Sequence, residues 1–354
     1  MFQLRDKRIA DEIVRKLKEM NVQLKIMHVC GTHQDTIVKH GLDSLLKECG
    51  VQVIQGPGCP VCVTTSLEIE KGIRLAEEGV TVVSFGDMIR VPASKTLEKV
   101  KAEGADVRIA YSIDDAVAMA KEKEVVFLAV GFETTAPSTA VTLLQEPENF
   151  SVLSCHRFIP PALDALLGLG EVRLDGIICP GHVSTIIGMK PYEKIAEKYR
   201  IPHVIAGFEP LDMLMGIYMI AKQVKEGRHE VENEYVRCVK PEGNEKAVKV
   251  INEVFEEEDA KWRGFPIIKK SKMKLRRKFE EFDAERKYED ILADVEEFPE
   301  PKGCRCGEVL RGIIFPQECE LFGKACTPSH PVGPCMVSIE GACNIEYRYK
   351  GKDD

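Results

Sequence analysis

Val51-Gln52-Val53-Ile54-Gln55-Gly56-Pro57-Gly58-Cys59-Pro60-Val61-Cys62, continued by Thr65-Ser66-Leu67-Glu68, is the stretch whose reading decides the fold. Val51 to Ile54 is short and rich in β-branched residues, which reads as a strand. Thr65 and Glu68 have capping-box spacing ahead of an apolar-periodic stretch reaching about Glu78, which reads as a capped helix. The Cys59-x-x-Cys62 pair therefore falls between the carboxyl end of a strand and the amino end of a helix. Unpaired amides and the helix dipole favour a thiolate there, and Pro60 keeps the two sulfurs close. Such a pair serves thiol chemistry or metal binding. A structural zinc half-site needs a second pair at zinc-like spacing, and none follows nearby.

Outward from this unit, strands and helices alternate in the manner of a parallel α/β sheet. Strands are expected near 24–29, 51–55, 80–85, 107–111, 125–130, 151–155, 175–178 and 203–206, after an amphipathic helix over 7–20. Two offsets recur. Gly86-Asp87-Met88-Ile89-Arg90-Val91-Pro92 and Gly131-Phe132-Glu133-Thr134-Thr135-Ala136-Pro137 share Gly and Pro at an offset of 45, as do their flanking strands. Cys30, His33, Thr36 and Ile37 match Cys179, His182, Thr185 and Ile186 at an offset of 149. The expectation is a duplicated α/β architecture, two similar Rossmann-like parallel-sheet domains facing a cleft. Ligand sites in such sheets lie beyond the carboxyl ends of the strands, where the loops with Cys30, Cys59, Cys62, Asp87, Glu133, His182 and Glu209 all fall. The domains are expected at 1–120, 121–240 and 241–354, the last a small helical and irregular region.

Composition narrows the class. A chain of 354 residues that is 44% hydrophobic suits two or three domains with cores of their own. A formal charge of −8 argues against nucleic acid as the main partner. Met1 to Arg8 lacks the apolar core of a signal peptide, and no apolar run approaches membrane-spanning length, so a cytoplasmic protein is expected. Thirteen cysteines in such a chain point to metal ligands or redox groups rather than a disulfide frame. Residues 244–258 and 272–292 are charged and helix-prone, and the basic run Lys269 to Lys278 between them reads as a solvated face. Cys304, Cys306, Cys319, Cys326, Cys335 and Cys343 crowd a Pro- and Gly-rich tail that needs a covalent or metal staple. Four thiolates hold an iron–sulfur cluster or a zinc ion, and the wide spacing favours the cluster. Cys49, Cys155, Cys179 and Cys238 read as core residues.

Taken together, Cys30-Gly31-Thr32-His33, Gly56 to Cys62, Gly131 to Pro137, Pro180-Gly181-His182-Val183-Ser184 and the tail cysteines resemble the HypD family of nickel–iron hydrogenase maturation proteins. The resemblance runs from about residue 25 to 350. It implies a scaffold on which the Fe(CN)2CO group is assembled with a small partner, HypC, and a cyanide donor, HypE. Cys30 would hold the iron fragment, soft thiolates suiting such iron. His33 would ligate iron or hold the Cys30 thiolate. Cys59 and Cys62 would form a reversible dithiol/disulfide pair, and a 4Fe–4S cluster on Cys304, Cys319, Cys326 and Cys343, at the family's spacing, would feed it electrons. Glu133, with Thr134 and Thr135, and His182, with Ser184, are candidates for positioning a polar ligand or a proton. Asp87 and Glu209 are weaker candidates. The chain departs from the family pattern at Gln34 and Asp35, where an acidic residue and a histidine are common. An alternative reading is an iron–sulfur-dependent thiol/disulfide oxidoreductase acting on a small molecule or a protein disulfide. Glycine loops for nucleotides are missing.

Overall fold

Short β-branched runs, each followed by a helix, sort into two parallel sheets in the computed structural model, which describes residues 6–350. The Met1–Arg5 part of the amino-terminal stretch lies outside the described residues. The strands are β1 (Leu24–His28), β2 (Val51–Gln55), β3 (Thr81–Ser84), β4 (Val107–Ile109), β5 (Val125–Gly131), β6 (Phe150–His156), β7 (Gly176–Pro180), β8 (His203–Ala206), β9 (Val231–Asn233), β10 (Phe255–Lys261) and β11 (Ile267–Leu275). All eight expected strands form, with ends shifted by a residue or two. One sheet has the order β2-β1-β7-β8-β9 and the other β4-β3-β5-β6. Every pairing within them is parallel. β5 and β6 are buried along their whole length, as strands covered by helices on both faces must be.

The threading corrects two expectations. A division at 120/121 would cut between β4 and β5, yet β3 pairs with β5 in register from Thr81↔Val125 to Val83↔Phe127. The first sheet takes β1 and β2 from before β3 and then β7 to β9 from after β6, so the chain leaves it, builds the second sheet, and returns. Each offset in the sequence, moreover, relates strands inside one sheet. The offset of 149 relates the end of β1 to β7, the nearby match of Val53 to Gly56 with Val204 to Gly207 relates β2 to β8, and the offset of 45 carries β3 and β4 onto β5 and β6. The repeated unit is a strand pair, and in both sheets the two copies meet through their first strands, β1 with β7 and β3 with β5. Those junctions are where the strand order reverses, the topological switch points at which open α/β sheets bind ligands.

A third correction concerns residues 255–292. The helix Glu245–Val254 forms, but β10 and β11 follow it as an antiparallel hairpin. Ser271, Met273 and Leu275 are buried alternately, a period of two. The charge run is paired across the hairpin, Lys274 to Glu258 at 2.7 Å and Lys270 to Glu257 at 3.1 Å. Short helical turns then lead to the cysteine-rich tail. One hydrophobic core runs from Met27 and Ile54 of the first sheet through Val126 and Leu128 of the second to Cys306, Cys335 and Cys343 of the tail.

Candidate functional site

The two switch points face one cleft of about 580 Å3. Val29 and Cys30 follow β1, and Pro180, His182 and Val183 end or follow β7. Phe85, Gly86 and Asp87 follow β3, and Gly131 to Thr135, except Glu133, end or follow β5. Gly58, Pro60 and Val61 close one side and Ser338, Ile339 and Glu340 of the tail another. The tail's share was not foreseen, because nothing in Ser338-Ile339-Glu340 marks it except its place between Cys335 and Cys343. Tyr111 at the rim, 93% exposed, and Ile339, 63% exposed, were also missed.

Cys30 is the residue ahead of the helix Gly31–Lys39, in extended conformation. Burial pushes its thiol up to about 11, and the nearby Glu340 carboxylate pushes the same way. The loop before Cys59 lies directly on it: a Cβ at Gly58 would overlap the Cys30 backbone nitrogen, so only glycine fits. Cys59 caps the single-turn helix Pro60–Val63 and is joined to Cys62 by a disulfide, Cα–Cα 5.3 Å. Both sulfurs are buried behind the cleft wall. Behind them Cys62 Sγ reaches the carbonyl of Pro334 at 3.9 Å, one residue from Cys335. The capping box foreseen at Thr65 and Glu68 is present, Thr65 N donating to Glu68 Oε2 at 3.0 Å. Glu68 also binds the buried Arg157 at 2.5 Å, tying this helix to the end of β6.

The remaining candidates divide. His182 lines the cleft, its ring stacked on Phe208 at 3.9 Å, and desolvation lowers its basicity. His33 is fully buried and does not line the cleft; its ring also packs on Phe208, 4.9 Å between centroids, with Nε2 at 3.2 Å from the Ala206 carbonyl. A carbonyl only accepts, so Nε2 carries the hydrogen and Nδ1 keeps a lone pair. Burial holds this ring neutral, at about 3. Glu133 points away from the cavity. Its Oε1 accepts from the Ile159 amide at 3.0 Å, at the start of the helix Ile159–Leu169, and Oε2 is buried without a hydrogen-bond partner. Desolvation raises its carboxyl to about 8, so it is protonated at neutral pH. Ser184 donates to the Pro180 carbonyl at 2.8 Å within its own helix. Glu209 caps the helix Pro210–Glu226. Asp87 lines the cleft and accepts from the Ile339 amide at 3.3 Å, fastening the tail there.

Gln34 and Asp35, the two departures from the family pattern, are tail fasteners. Gln34 Oε1 lies 2.7 Å from His28 Nε2, and its Nε2 donates to Glu346 Oε1 at 2.9 Å. Asp35 pairs with Arg348 at 3.2 Å. Both tail partners belong to the helix Ala342–Lys350, which carries Cys343.

The tail cysteines form a nest. Cys304 and Cys306 lie together beside Gly333, and Cys306, Cys335 and Cys343 are close enough to shift one another's thiols. The neighbouring Cys306 and Cys335 pull the Cys343 thiol down despite its burial. Cys326 Sγ accepts from the Val332 amide at 3.4 Å, and burial raises its thiol. A Cβ on Gly333 would lie 2.5 Å from Cys304 Sγ and 2.6 Å from Cys306 Sγ, so the glycine leaves room beside the sulfurs. Cys319 stands apart, its Sγ 3.8 Å from the Gly303 carbonyl. Among the described residues no group of three or more His, Cys, Asp and Glu side chains is already arranged around a single ion. Cys49, Cys155 and Cys179 are buried as expected, whereas Cys238 is exposed, because it follows β9 in a turn rather than entering a strand. No helix of the described residues is long and apolar enough to cross a membrane.

Comparison with known proteins agrees with this geometry. Residues 5–350 match the HypD family model, described as the hydrogenase formation hypA family. A hydrogenase expression/formation protein of Methanocaldococcus jannaschii is 53% identical over 96% of each chain. The hydrogenase maturation factor HypD of Cupriavidus necator is 43% identical over 98% of this chain and 96% of its own. That of Rhodobacter capsulatus is 42% identical over 97% and 93%. The chain belongs to the HypD family of hydrogenase maturation factors.

Proposed function

We propose that the protein is the scaffold on which the Fe(CN)2CO group of nickel–iron hydrogenase is put together, working with HypC and with HypE as the cyanide donor. The observation that carries this reading is Cys30 in the wall of a cleft fed by both switch points, with the Cys59–Cys62 disulfide directly behind it and the cysteine nest behind that. The iron fragment is cargo, held by the Cys30 thiolate together with a thiolate of HypC. The exposed Tyr111 and Ile339 at the rim are the apolar surface on which such a partner would close the cleft. His182 faces the cavity and offers a neutral imidazole, while the buried His33, packed on Phe208, supports the wall.

The residues of the tail fit an iron–sulfur group. They supply soft thiolates in excess of four, in a nest where Gly333 leaves space. Cys304, Cys326 and Cys343 would hold it, with the fourth sulfur from Cys319 drawn in or from Cys306 or Cys335, which already point inward. Such a group supplies electrons singly. The chain's own task is to receive two of them at Cys59–Cys62, where the S–S bond breaks and two protons are taken up. Reduced, the pair sits one loop from Cys30 and is placed to pass two electrons to a ligand precursor in the cleft.

The oxidoreductase reading, on a small molecule or a protein disulfide, gives Cys30 in the cleft wall no task, and the buried disulfide is closed to a protein substrate. Cys30→Ala separates the two. The scaffold predicts lost hydrogenase maturation and lost non-cluster iron with the visible absorption of the tail retained. Normal maturation by this variant would contradict it.

A further inference from the structure

The loop joining β10 and β11 touches both the cleft wall and the disulfide turn, and the proposed chemistry has not used it. Trp262, fully buried, stacks on Phe132 with centroids 5.9 Å apart and ring planes 20° apart. Its Nε1–H donates to Ser271 Oγ at 2.9 Å, which fixes the ring. Phe132 lines the cleft, and its carbonyl accepts from the Thr135 and Ala136 amides at 3.1 and 3.2 Å. It therefore shares one turn with Thr134 and Thr135 of the same wall. One residue on from Trp262, the Arg263 amide donates to the Val63 carbonyl at 2.9 Å, at the end of the single-turn helix that carries Cys62.

Reducing the buried Cys59–Cys62 pair breaks the S–S bond, takes up two electrons and two protons, and leaves two thiols that cannot stay at bonding distance. The turn then has to widen inside a close-packed core, and such a core passes a displacement on rather than absorbing it. There is no room on the Cys59 side, where a Cβ at Gly58 would lie 2.2 Å from the Cys30 backbone nitrogen. The movable side is the helix Pro60–Val63, whose last carbonyl is bound to the loop. The loop itself cannot back away. Gly264 lies against Gly307 so closely that a Cβ would sit 2.4 Å from its Cα, and Arg311 clamps the Gly264 carbonyl. The Arg263 side chain is held by Glu300 at 2.8 Å and by the Pro92 carbonyl at 3.3 Å. What is left to shift is the Trp262 ring, and Phe132 with it.

We propose that Trp262 is a positioning residue for the cleft, and that through it the redox state of the Cys59–Cys62 pair sets where Phe132 stands in the cleft wall. It acts through Phe132 on one side and, by way of the Arg263 amide, through Val63 on the other. Coupling of this kind is reciprocal. The stacked rings that resist widening of the turn therefore favour the disulfide over the dithiol. The inference rests on the reading of Cys59 and Cys62 as a reversible pair.

The test is the thiol–disulfide equilibrium of this pair in the anaerobically purified full-length protein, poised in dithiothreitol redox buffers. Samples are quenched in acid, unfolded and alkylated, and label is counted by mass spectrometry on the peptide that holds Cys59 and Cys62. Trp262→Phe, which leaves slack behind Phe132, is expected to shift the equilibrium at least about threefold towards the dithiol, and Phe132→Leu to do the same. The double variant should shift it by less than the product of the two, because both changes loosen one contact. A merely structural role, which destabilises both redox states alike, leaves the equilibrium unmoved. Folded single variants with the wild-type equilibrium, or shifts that multiply in full, overturn the proposal while leaving the reversible pair intact. If Trp262→Phe does not fold, Phe132→Leu decides alone: an unmoved equilibrium overturns the proposal. A wild-type pair that takes up no label at any buffer ratio overturns the reversible-pair reading, and the proposal with it.

Discussion

Four histidines, His28, His33, His156 and His203, are buried without charge, and burial holds each at about 4 or, for His33, about 3. In the unfolded chain the same rings take protons near 6.5. Between 6.5 and about 4 the unfolded state binds more protons, so stability is complete above pH 6.5 and falls as the pH drops through this window. Glu133 has the opposite sign. Its folded carboxyl keeps a proton up to about 8 while the unfolded one loses it near the usual value, so stability falls as the pH rises between the two. Glu133→Gln should remove the alkaline decline and leave the acid one in place. Urea midpoints measured from pH 4 to 9 check both, and an unchanged alkaline limb in the variant would show Glu133 to be ionised in the fold. These residues also show the limit of motif reading. Cys30-Gly31-Thr32-His33 announces a site, but whether His33 faces the cavity or the wall depends on Phe208, a residue 175 positions away with no local link to it.

At the level of elements, the tail helix Ala342–Lys350 is pinned to the helix of Cys30 by Gln34, Asp35 and their partners. Gln34 spans two sites, since its amide satisfies both His28 and Glu346. Gln34→Ala strips the partner from His28 Nε2 and from Glu346 Oε1, whose other oxygen keeps Gln317 and Lys350, at a cost of about 1–3 kcal/mol for a buried group left unsatisfied. Because the loss falls on the contact rather than on either core, the tail should become sensitive to limited proteolysis before the sheets do. Cleavage appearing first inside residues 24–233 would contradict that order. The hairpin of β10 and β11 teaches a related lesson. Glu256 to Asp259 has little intrinsic strand preference, and what makes it a strand is the basic strand opposite. A charged, helix-prone reading of either half alone is thus overturned by their pairing.

Across the whole molecule, the strand-then-helix rhythm was legible because β-branched runs and caps are local signals. Which strands pair was not, because the return of the chain to its first sheet is a long-range choice that no window of sequence carries. The offsets of 45 and 149 held that information in part, and it becomes readable once each is placed within one sheet. The same topology explains why loops distant in sequence meet. Two switch points, brought face to face, gather Cys30, Asp87, Thr134, Thr135 and His182 around one cavity, and the tail closes it with Ser338 to Glu340. The disulfide and the tail cysteines share one core, and Cys62 reaches the tail at Pro334.

The most direct measurement of the scaffold reading is infrared spectroscopy of the anaerobically purified protein with HypC, beside an iron and sulfide count. Bands in the cyanide and carbonyl stretching region, with more iron than sulfide, are the predicted result. Equal iron and sulfide with no such bands would contradict it and leave the tail's iron–sulfur group as the only iron the protein holds.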